Sequence, residues 1–353
     1  MPDTHARLSA SSAKRWMSCP PSVRLEEQFP DSGSEYAAEG TLAHSLAEII
    51  LRYNNGEISK KAFSTRFNKI KADPMYNREM QEYIEDYTQR VWEIANEVKA
   101  ACPDARVLFE QRLDVSEYVP DGFGTGDVVI VADDMVNIID LKYGKGVGVS
   151  AKDNPQLRLY GLGAYLEHSM LYDIRRIQMT IIQPRLENIS VEELTAEELL
   201  DWAEREVRPK AAQAYAGEGE FKVGDHCRFC KARVTCRARA EYNLELTKLD
   251  FVDPALLTDE EIGEVLRRAD ELDHWVKDVT GFALAEALKG TKYEGWKLVE
   301  GTSRRRYTDQ DAIAMRLTTE GWEEDEIYKP QELIGITAVS YTHLRAHETV
   351  LDL

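Results

Sequence analysis

The sequence lacks the features that mark several large classes of protein. No apolar run in this sequence of 353 residues approaches the ~20 residues that a membrane-spanning helix needs. Its first ten residues hold no apolar stretch of signal-peptide type, so we expect a cytoplasmic protein without a membrane partner. The absence of a Gly-x-Ser-x-Gly elbow and of a Gly-x-x-x-x-Gly-Lys-Ser/Thr loop argues against a serine hydrolase and against a nucleotide-driven motor in this chain.

Cysteine is scarce, and positive charge is outnumbered. Five cysteines in a reducing compartment indicate a metal site or isolated core thiols rather than a disulfide framework. The 44 Lys and Arg residues face 63 Asp and Glu residues, which gives a formal net charge of −19. Phosphate backbones attract cations, so this charge argues against a nucleic-acid partner. A groove can nevertheless be basic on an acidic molecule, and the charge alone leaves the partner open.

Basic residues do cluster in two segments of the chain. Solvated helix faces are the ordinary explanation for such runs. The first cluster comprises Arg228, Lys231, Arg233, Arg237 and Arg239, and the second comprises Arg304, Arg305 and Arg306.

Hydrophobic periodicity predicts an α/β protein with a mixed sheet. Apolar side chains at helical spacing predict helices over residues 9–17, 34–53, 75–101, 154–167 and 195–216. Stretches rich in Val and Ile predict strands over 106–115, 126–132, 135–143 and 174–183, with a tight hairpin at Asp133-Asp134. The expected core therefore has about four strands flanked by helices.

The pattern divides the chain into three predicted parts. Residues 1–249 form the core domain, and residues 250–338 form a small α/β appendage. The appendage should contain helices over 258–288 and 309–319 and a hairpin with strands over 296–299 and 304–307. Residues 339–353 look like translated sequencing-adapter read-through, so we expect a non-native tail and assign no function to its histidines.

Two aspartates mark the candidate active site. Asp127 opens a Val-Val-Ile-Val strand and Asp140 lies near the end of the next, so antiparallel pairing would bring them together. Lys142 shares the face of Asp140, because side chains two apart on a strand point the same way. Two carboxylates beside an ammonium can hold a hard cation and orient water, and the Leu141 carbonyl is a further candidate ligand. Alone, an Asp-x-Lys on a strand is usually a solvated charge pair.

Two downstream residues extend this pattern. Gln156 and Tyr160 lie four apart on a predicted helix, and therefore on one face that could complete a cleft. The order Gly-x-x-Asp127, Asp140-x-Lys142, Gln156-x-x-x-Tyr160 resembles the PD-(D/E)XK nuclease superfamily in its RecB-like exonuclease branch. That resemblance implies a restriction-endonuclease-like core, with Asp127, Asp140, Lys142, Gln156 and Tyr160 as catalytic residues.

The resemblance also implies a fuller set of metal ligands. Glu39-Gly40-Thr41-x-x-His44 is similar to that branch's Gly-Thr-x-x-His helix motif, whose histidine joins the metal site. Glu110 resembles the additional acidic residue at the first strand. Read without the resemblance, both would be ordinary core or surface residues. The implied ligands of Mg2+ or Mn2+ are His44, Glu110, Asp127, Asp140 and the carbonyl of Leu141.

Four of the five cysteines form a second signal. Cys227-x-x-Cys230-x5-Cys236 places three thiols within ten residues, and Cys19 lies more than 200 residues upstream. Four thiolates suit either an iron–sulfur cluster or Zn2+. The pattern resembles the clasp of AddB-type and CRISPR-associated RecB-like nucleases, which implies a structural [4Fe–4S] cluster. Cys102 has no partner in this scheme.

The nuclease resemblance covers approximately residues 8–246 and implies a metal-dependent DNA exonuclease. The whole chain, including residues 296–336, also looks like a phage- and prophage-borne family of unknown function, which implies a role beside phage replication or recombination proteins. Two alternatives stay open: a catalytically silent module that binds DNA ends, and a zinc-stapled protein of unrelated chemistry. The residues alone do not distinguish DNA from RNA, single from double strands, or exonuclease from endonuclease action.

Overall fold

The computed structural model describes residues 6–30, 35–246, 258–300, 310–323 and 327. It divides into two units, 1–289 and 290–353, each described by itself. The domain boundary predicted at residue 249 stays a prediction. None of the described helices has the length and apolar character that crossing a membrane would require.

Helices account for most of the described elements. Their bounds are α1 (Ala13–Ser18), α2 (Ser22–Glu26), α3 (Glu35–Asn54), α4 (Lys60–Lys71), α5 (Arg78–Ala101), α6 (Pro155–His168), α7 (Ala196–Trp202), α8 (Arg208–Ala216), α9 (Arg237–Leu244) and α10 (Asp259–Leu288) in the first unit, and α11 (Gln310–Thr319) in the second. A π-helical turn, Ala203–Val207, joins α7 to α8.

One mixed sheet forms the centre of the first unit. Its strands are β1 (Arg106–Asp114), β2 (Phe123–Val131), β3 (Met135–Leu141), β4 (Arg176–Gln183) and β5 (Asn188–Thr195), hydrogen-bonded in chain order. Only β3 and β4 pair in parallel, and α6 provides the crossover between them. The predicted mixed α/β fold is confirmed.

Helices cover both faces of this sheet. On one face, α6 packs with α1, α7 and α8 over a core that includes Val129, Ile138 and Met179. On the other, α3 and α5 pack over a second core that includes Val128 and Ile139. Helix α5 reaches this core through an apolar stripe at three- and four-residue spacing, made of Ile84, Tyr87, Val91, Ala95 and Val98. The sheet residues alternate between the two cores because successive strand side chains point to opposite faces.

Strands β2 and β3 diverge at Asp127 and Asp140. Their pairing ends at Val128 opposite Ile139, so the next residues are Asp127 and Asp140. Beyond this point β2 continues along β1, whereas β3 continues along β4. The gap between the diverging strands gives helices on both faces access to the same place in the sheet.

Some local predictions were wrong. The core has five strands rather than about four, because residues 188–195 form β5 with a partly exposed, polar alternation that carried no buried-strand signal. By contrast, the predicted helix 195–216 is confirmed as one continuous helical segment, in which the π turn joins α7 to α8. Residues 296–299 form no strand, so the first strand of the predicted hairpin is absent. Its second predicted strand lies outside the described residues, at 304–307. The predicted tail, residues 339–353, lies outside them as well.

Two glycines allow α6 to lie close to the sheet. A Cβ on Gly161 would stand 2.8 Å from Ile177 Cγ2, and one on Gly163 would stand 2.9 Å from Leu113 Cβ. At Gly163 the neighbouring Leu113 backbone carbon also lies within 3.3 Å, so the clash cannot be relieved by rotating a side chain. Glycine is therefore required for the packing of this helix, against its poor helix propensity.

Replacing Gly163 with alanine should accordingly destabilise the protein. We expect Gly163→Ala to lower the free energy of unfolding by about 1–3 kcal/mol through overpacking. Gly281→Ala in α10 is the matched control, because nothing lies within 4 Å of its Cβ position, and it should raise stability by up to about 1 kcal/mol. Urea unfolding measures both values. Equal effects at the two positions would contradict the close approach of α6.

Candidate metal centre

Three carboxylates stand in one row across β1, β2 and β3. The register on either side of Glu110 sets it opposite Asp127. The pairing of β2 and β3 ends at Val128 opposite Ile139, and Asp127 and Asp140 are the next residue on each strand. Residues opposite each other on antiparallel strands bring their side chains close together. The structure thus brings together the three acidic residues that the sequence selected.

Asp127 joins this row to helix α3. Its Oδ1 lies 3.1 Å from His44 Nδ1, and its Oδ2 accepts a 2.7 Å hydrogen bond from the Leu141 backbone N–H. The carboxylate of Asp127 therefore accepts a backbone hydrogen bond from β3 at the point where β2 and β3 are no longer paired. His44 reaches the gap from the α3 side of the sheet.

Asp140 belongs to a polar chain on the α6 side. Lys142 Nζ lies 2.8 Å from Asp140 Oδ2 and donates a 2.8 Å hydrogen bond to Gln156 Oε1. Gln156 Nε2 lies 3.4 Å from Asp140 Oδ1 and donates a 3.0 Å hydrogen bond to the Tyr160 hydroxyl. Gly124 leaves room for Tyr160, since a Cβ there would stand 2.5 Å from its ring. The amide of Gln156 thus orients the lysine.

Glu110 is held in an uncommon backbone conformation. Its φ of 49° lies in the left-handed region, which a residue with a Cβ adopts only at an energetic cost. The preceding carbonyl, that of Phe109, accepts a 2.9 Å hydrogen bond from Arg52. Arg52 is itself held by ion pairs to Glu48 and Glu57 on α3 and just beyond it. Such strain is typical of functional sites.

Burial and mutual repulsion shift the ionisation of these acids. Burial and the neighbouring Asp127 raise the pKa of Glu110 to about 7. Burial likewise raises the pKa of Asp140, and Asp127 adds to this against the opposing effect of Lys142. Asp127 is buried too, but His44 and the Leu141 N–H hold its pKa below the ordinary value. Burial alone would lower the pKa of His44, whereas Asp127 raises it to about 9.

The donor set fits a divalent cation. Ligand atoms of His44, Glu110 and Asp127 lie within 4.8 Å of one another, and they enclose a pocket with room for about one water or one small ion. Leu141 lines the same pocket. A cation here would offset the repulsion between Glu110 and Asp127, and carboxylate oxygens are the donors that Mg2+ prefers. Coordination by Asp140 and by the Leu141 carbonyl stays a prediction.

Sequence reasoning missed Tyr87 as a member of this site. The side chain is fully buried on α5, lines the pocket beside His44 and Glu110, and its hydroxyl has no hydrogen-bond partner among the described residues. Burial, followed by the charges of Asp127, Asp140 and Glu110, raises the pKa of Tyr87 well above its ordinary value. In the sequence Tyr87 was one apolar position in a helical stripe, so no signal separated it from its neighbours.

The four predicted cysteines also come together. Cys19, Cys227, Cys230 and Cys236 line one small cavity, and the first three are buried. Burial raises the pKa of Cys230 to about 12, and the nearby Cys227 adds to this rise. Uncharged thiols are poor metal ligands, so binding a metal here would require their deprotonation. Cys102 does not line this cavity.

Hydrogen bonds and an ion pair also join the two segments that carry these cysteines. Arg15 forms a 2.7 Å ion pair with the buried Glu26, and Glu26 accepts a 2.7 Å hydrogen bond from the Lys231 backbone N–H. Arg15 also donates to the Phe229 carbonyl at 3.2 Å. Of the basic cluster noted in the sequence, the fully buried Arg239 pairs with Glu271 and Asp278, while Arg233 pairs with Asp278. Those two arginines are structural.

The fold and the centre define a mixed α/β protein whose sheet carries an acid-rich candidate metal site. The chain belongs to the family described as "Protein of unknown function (DUF2800)", which matches residues 5–351. It is also similar to a solved structure titled "Crystal structure of SSO0001", at 15% identity and a TM-score of 0.25, over 62% of this chain and 94% of that one. The family description names no activity, so the chemistry has to be argued from the residues.

Removing the Tyr87 hydroxyl should not destabilise the protein when divalent cations are absent. A buried hydroxyl without a partner costs about 1–3 kcal/mol, so Tyr87→Phe should leave the free energy of unfolding unchanged or raise it. Tyr83→Phe, one turn earlier on the same helix, is the control and should change stability by less than about 0.5 kcal/mol. Urea unfolding without added cation compares them. A marked loss of stability for Tyr87→Phe would show that the hydroxyl has a partner in solution.

Proposed function

We propose that this protein is a metal-dependent DNA nuclease, and specifically an exonuclease of the PD-(D/E)XK superfamily in its RecB-like branch. The observation that carries the proposal is the row of Glu110, Asp127 and Asp140, with His44 on one side and Lys142 on the other. Three adjacent carboxylates, of which Asp140 is buried and the other two are partly buried, are costly unless a cation offsets them. A partly exposed ammonium beside them suits attack by water on a phosphodiester.

The residues of the acid-rich centre would bind the cation. His44, Glu110, Asp127 and Asp140, with the Leu141 carbonyl, would hold Mg2+ or Mn2+. When bound, such a cation acidifies water and neutralises charge on a phosphoryl group. Asp127 fixes the ring of His44 through its 3.1 Å contact. Glu110, whose pKa lies near 7, ionises readily once a cation adjoins it.

Lys142 has the position of the group that orients water. Its ammonium is held between Asp140 and Gln156, at 2.8 Å from each, and remains partly exposed. From there it would bind a water or a phosphate oxygen and stabilise the charge that develops on the phosphate. Tyr160 supports this arrangement through Gln156. Gln156 and Tyr160 therefore act on the lysine and could also contact the nucleic acid.

The four cysteines would hold a [4Fe–4S] cluster as a structural clasp. Four thiolates suit either such a cluster or Zn2+, and the resemblance to the AddB-type clasp, rather than the spacing of the thiols, favours the cluster. Metal binding at such a site contributes folding free energy. Zinc at the same thiols is the alternative.

DNA is the proposed substrate, and phage replication or recombination proteins are the proposed partners. Both follow from the nuclease and prophage resemblances of the sequence. The second candidate function is a catalytically silent module of the same fold that binds DNA ends. The intact set of Asp127, Asp140 and Lys142 disfavours it, because binding alone does not require such adjacent, poorly solvated charges.

Replacing Asp140 should separate these two functions. Asp140→Asn keeps the shape of the side chain but removes one carboxylate, so we expect Mn2+-dependent hydrolysis of linear DNA to fall at least about 100-fold. Asp134→Asn, in the exposed β2–β3 turn, is the control and should retain activity. If neither Mg2+ nor Mn2+ supports hydrolysis of single- or double-stranded DNA by the wild type, the binding module is correct.

Anaerobic purification should reveal the cluster. We expect a brown protein with broad absorbance near ~400 nm and about four iron atoms per chain. Cys236→Ser should lose iron and stability, whereas Cys102→Ser, outside the cavity, should retain both. A colourless protein that contains only zinc would overturn the iron assignment and leave the nuclease proposal untouched.

A further inference from the structure

A cationic pocket with an exposed aromatic ring adjoins the cysteine clasp. Phe229 is 72% exposed, the most exposed aromatic side chain among the described residues up to Lys289. The pocket around it is lined by Ser11, Ser12, Lys14, Arg15, Val147, Asp225, His226, Arg228 and Phe229. It shares Arg15 and His226 with the lining of the cysteine cavity and shares no residue with the pocket of the acid-rich centre.

The clasp fixes the position of the exposed ring. Arg228 and Phe229 are the two residues between Cys227 and Cys230, at the end of a short 3-10 helix, Asp225–Phe229. The Phe229 carbonyl accepts a hydrogen bond from Arg15, which is itself anchored by the buried Glu26. The Phe229 backbone is held by this hydrogen bond while its side chain is 72% exposed, which leaves the ring available for contact with a partner.

The charge around the ring favours an anionic partner. Lys14 and Arg228 form no ion pair within the described part of the chain, although Arg228 lies 3.5 Å from His274. Asp225 is the acidic residue of the lining. The pocket therefore carries two available cations against one carboxylate, on a protein of net charge −19.

The pocket lies beside the loop that leaves the active-site strand. Val147, on its rim, belongs to the segment between Lys142 and Gln156. The buried Gln183 holds this segment, because it donates to the Val147 carbonyl at 3.1 Å and accepts from the Val149 N–H at 2.6 Å. A strand bound at Phe229 would thus be guided along the loop toward Lys142.

We propose that this pocket binds single-stranded DNA, with a base stacked on Phe229 and phosphates contacted by Lys14 and Arg228. An unpaired base offers a face for stacking, whereas the faces of paired bases are covered within a duplex. The inference rests on the proposed nuclease function and names its substrate as a single strand, at least where the chain enters the enzyme. The Cys-x-x-Cys segment would then have a second role besides holding the cluster, because it positions Phe229 for stacking.

Binding to labelled oligonucleotides tests the proposal. The full chain carrying Asp140→Asn, which prevents hydrolysis, is titrated against oligothymidylate and against a duplex of equal length, with fluorescence anisotropy as the readout. Phe229→Ala should weaken binding of the single strand about 5-fold or more, and Phe229→Trp should restore it. Lys14→Glu with Arg228→Glu should weaken binding further and reduce its dependence on salt.

Met170→Ala is the matched control, because Met170 is 92% exposed but lies away from this pocket. Unchanged thermal stability and unchanged metal content of the Phe229 variants would show that the clasp is intact. Single-strand affinity within twofold of the parent for Phe229→Ala, or an equal loss for the duplex, would overturn the stacking site. Failure of the parent protein to bind any DNA would overturn the proposed function as well, so the two failures are distinguishable.

Discussion

The repulsion between Glu110, Asp127 and Asp140 is the constraint on which the rest of the centre depends. Like charges placed side by side in a poorly solvated region raise each other's free energy. The protein offsets this with His44 and the Leu141 N–H at Asp127, and with Lys142 at Asp140. Among the described residues Glu110 has no ion pair of its own, and burial and Asp127 raise its pKa to about 7. A bound cation would offset that repulsion.

The divergence of β2 and β3 makes this arrangement possible. In a continuous antiparallel pair, the opposed side chains of Asp127 and Asp140 would point to the same face of the sheet, and helices on opposite faces could not each reach one of them. Because the strands part at Asp127 and Asp140, His44 approaches from α3 while Gln156 approaches from α6. The close packing of α6, which depends on its glycines, then sets the distance between the amide of Gln156 and Lys142.

The sequence was sufficient to predict the parts of this protein that carry a regular pattern. The long helix α5, the central strands and the placement of Asp127 beside Asp140 followed from periodicity and from antiparallel pairing. Strand β5 could not be predicted, because an edge strand with a polar, half-exposed alternation buries too little apolar surface to leave a signal. Tyr87 was missed because the apolar pattern around it is strong. Its position in the stripe of α5 is that of an ordinary core residue. Only the fold shows that Tyr87 lines the pocket with His44 and Glu110.

Crystals soaked in Mn2+ and measured at the manganese absorption edge would test the central claim most directly. The account predicts an anomalous peak within the pocket formed by His44, Glu110 and Asp127, and loss of that peak in Asp127→Asn crystals. Full occupancy elsewhere on the protein with no manganese peak in this pocket would contradict it. The carboxylate row would then be a structural charge network rather than the centre of a nuclease.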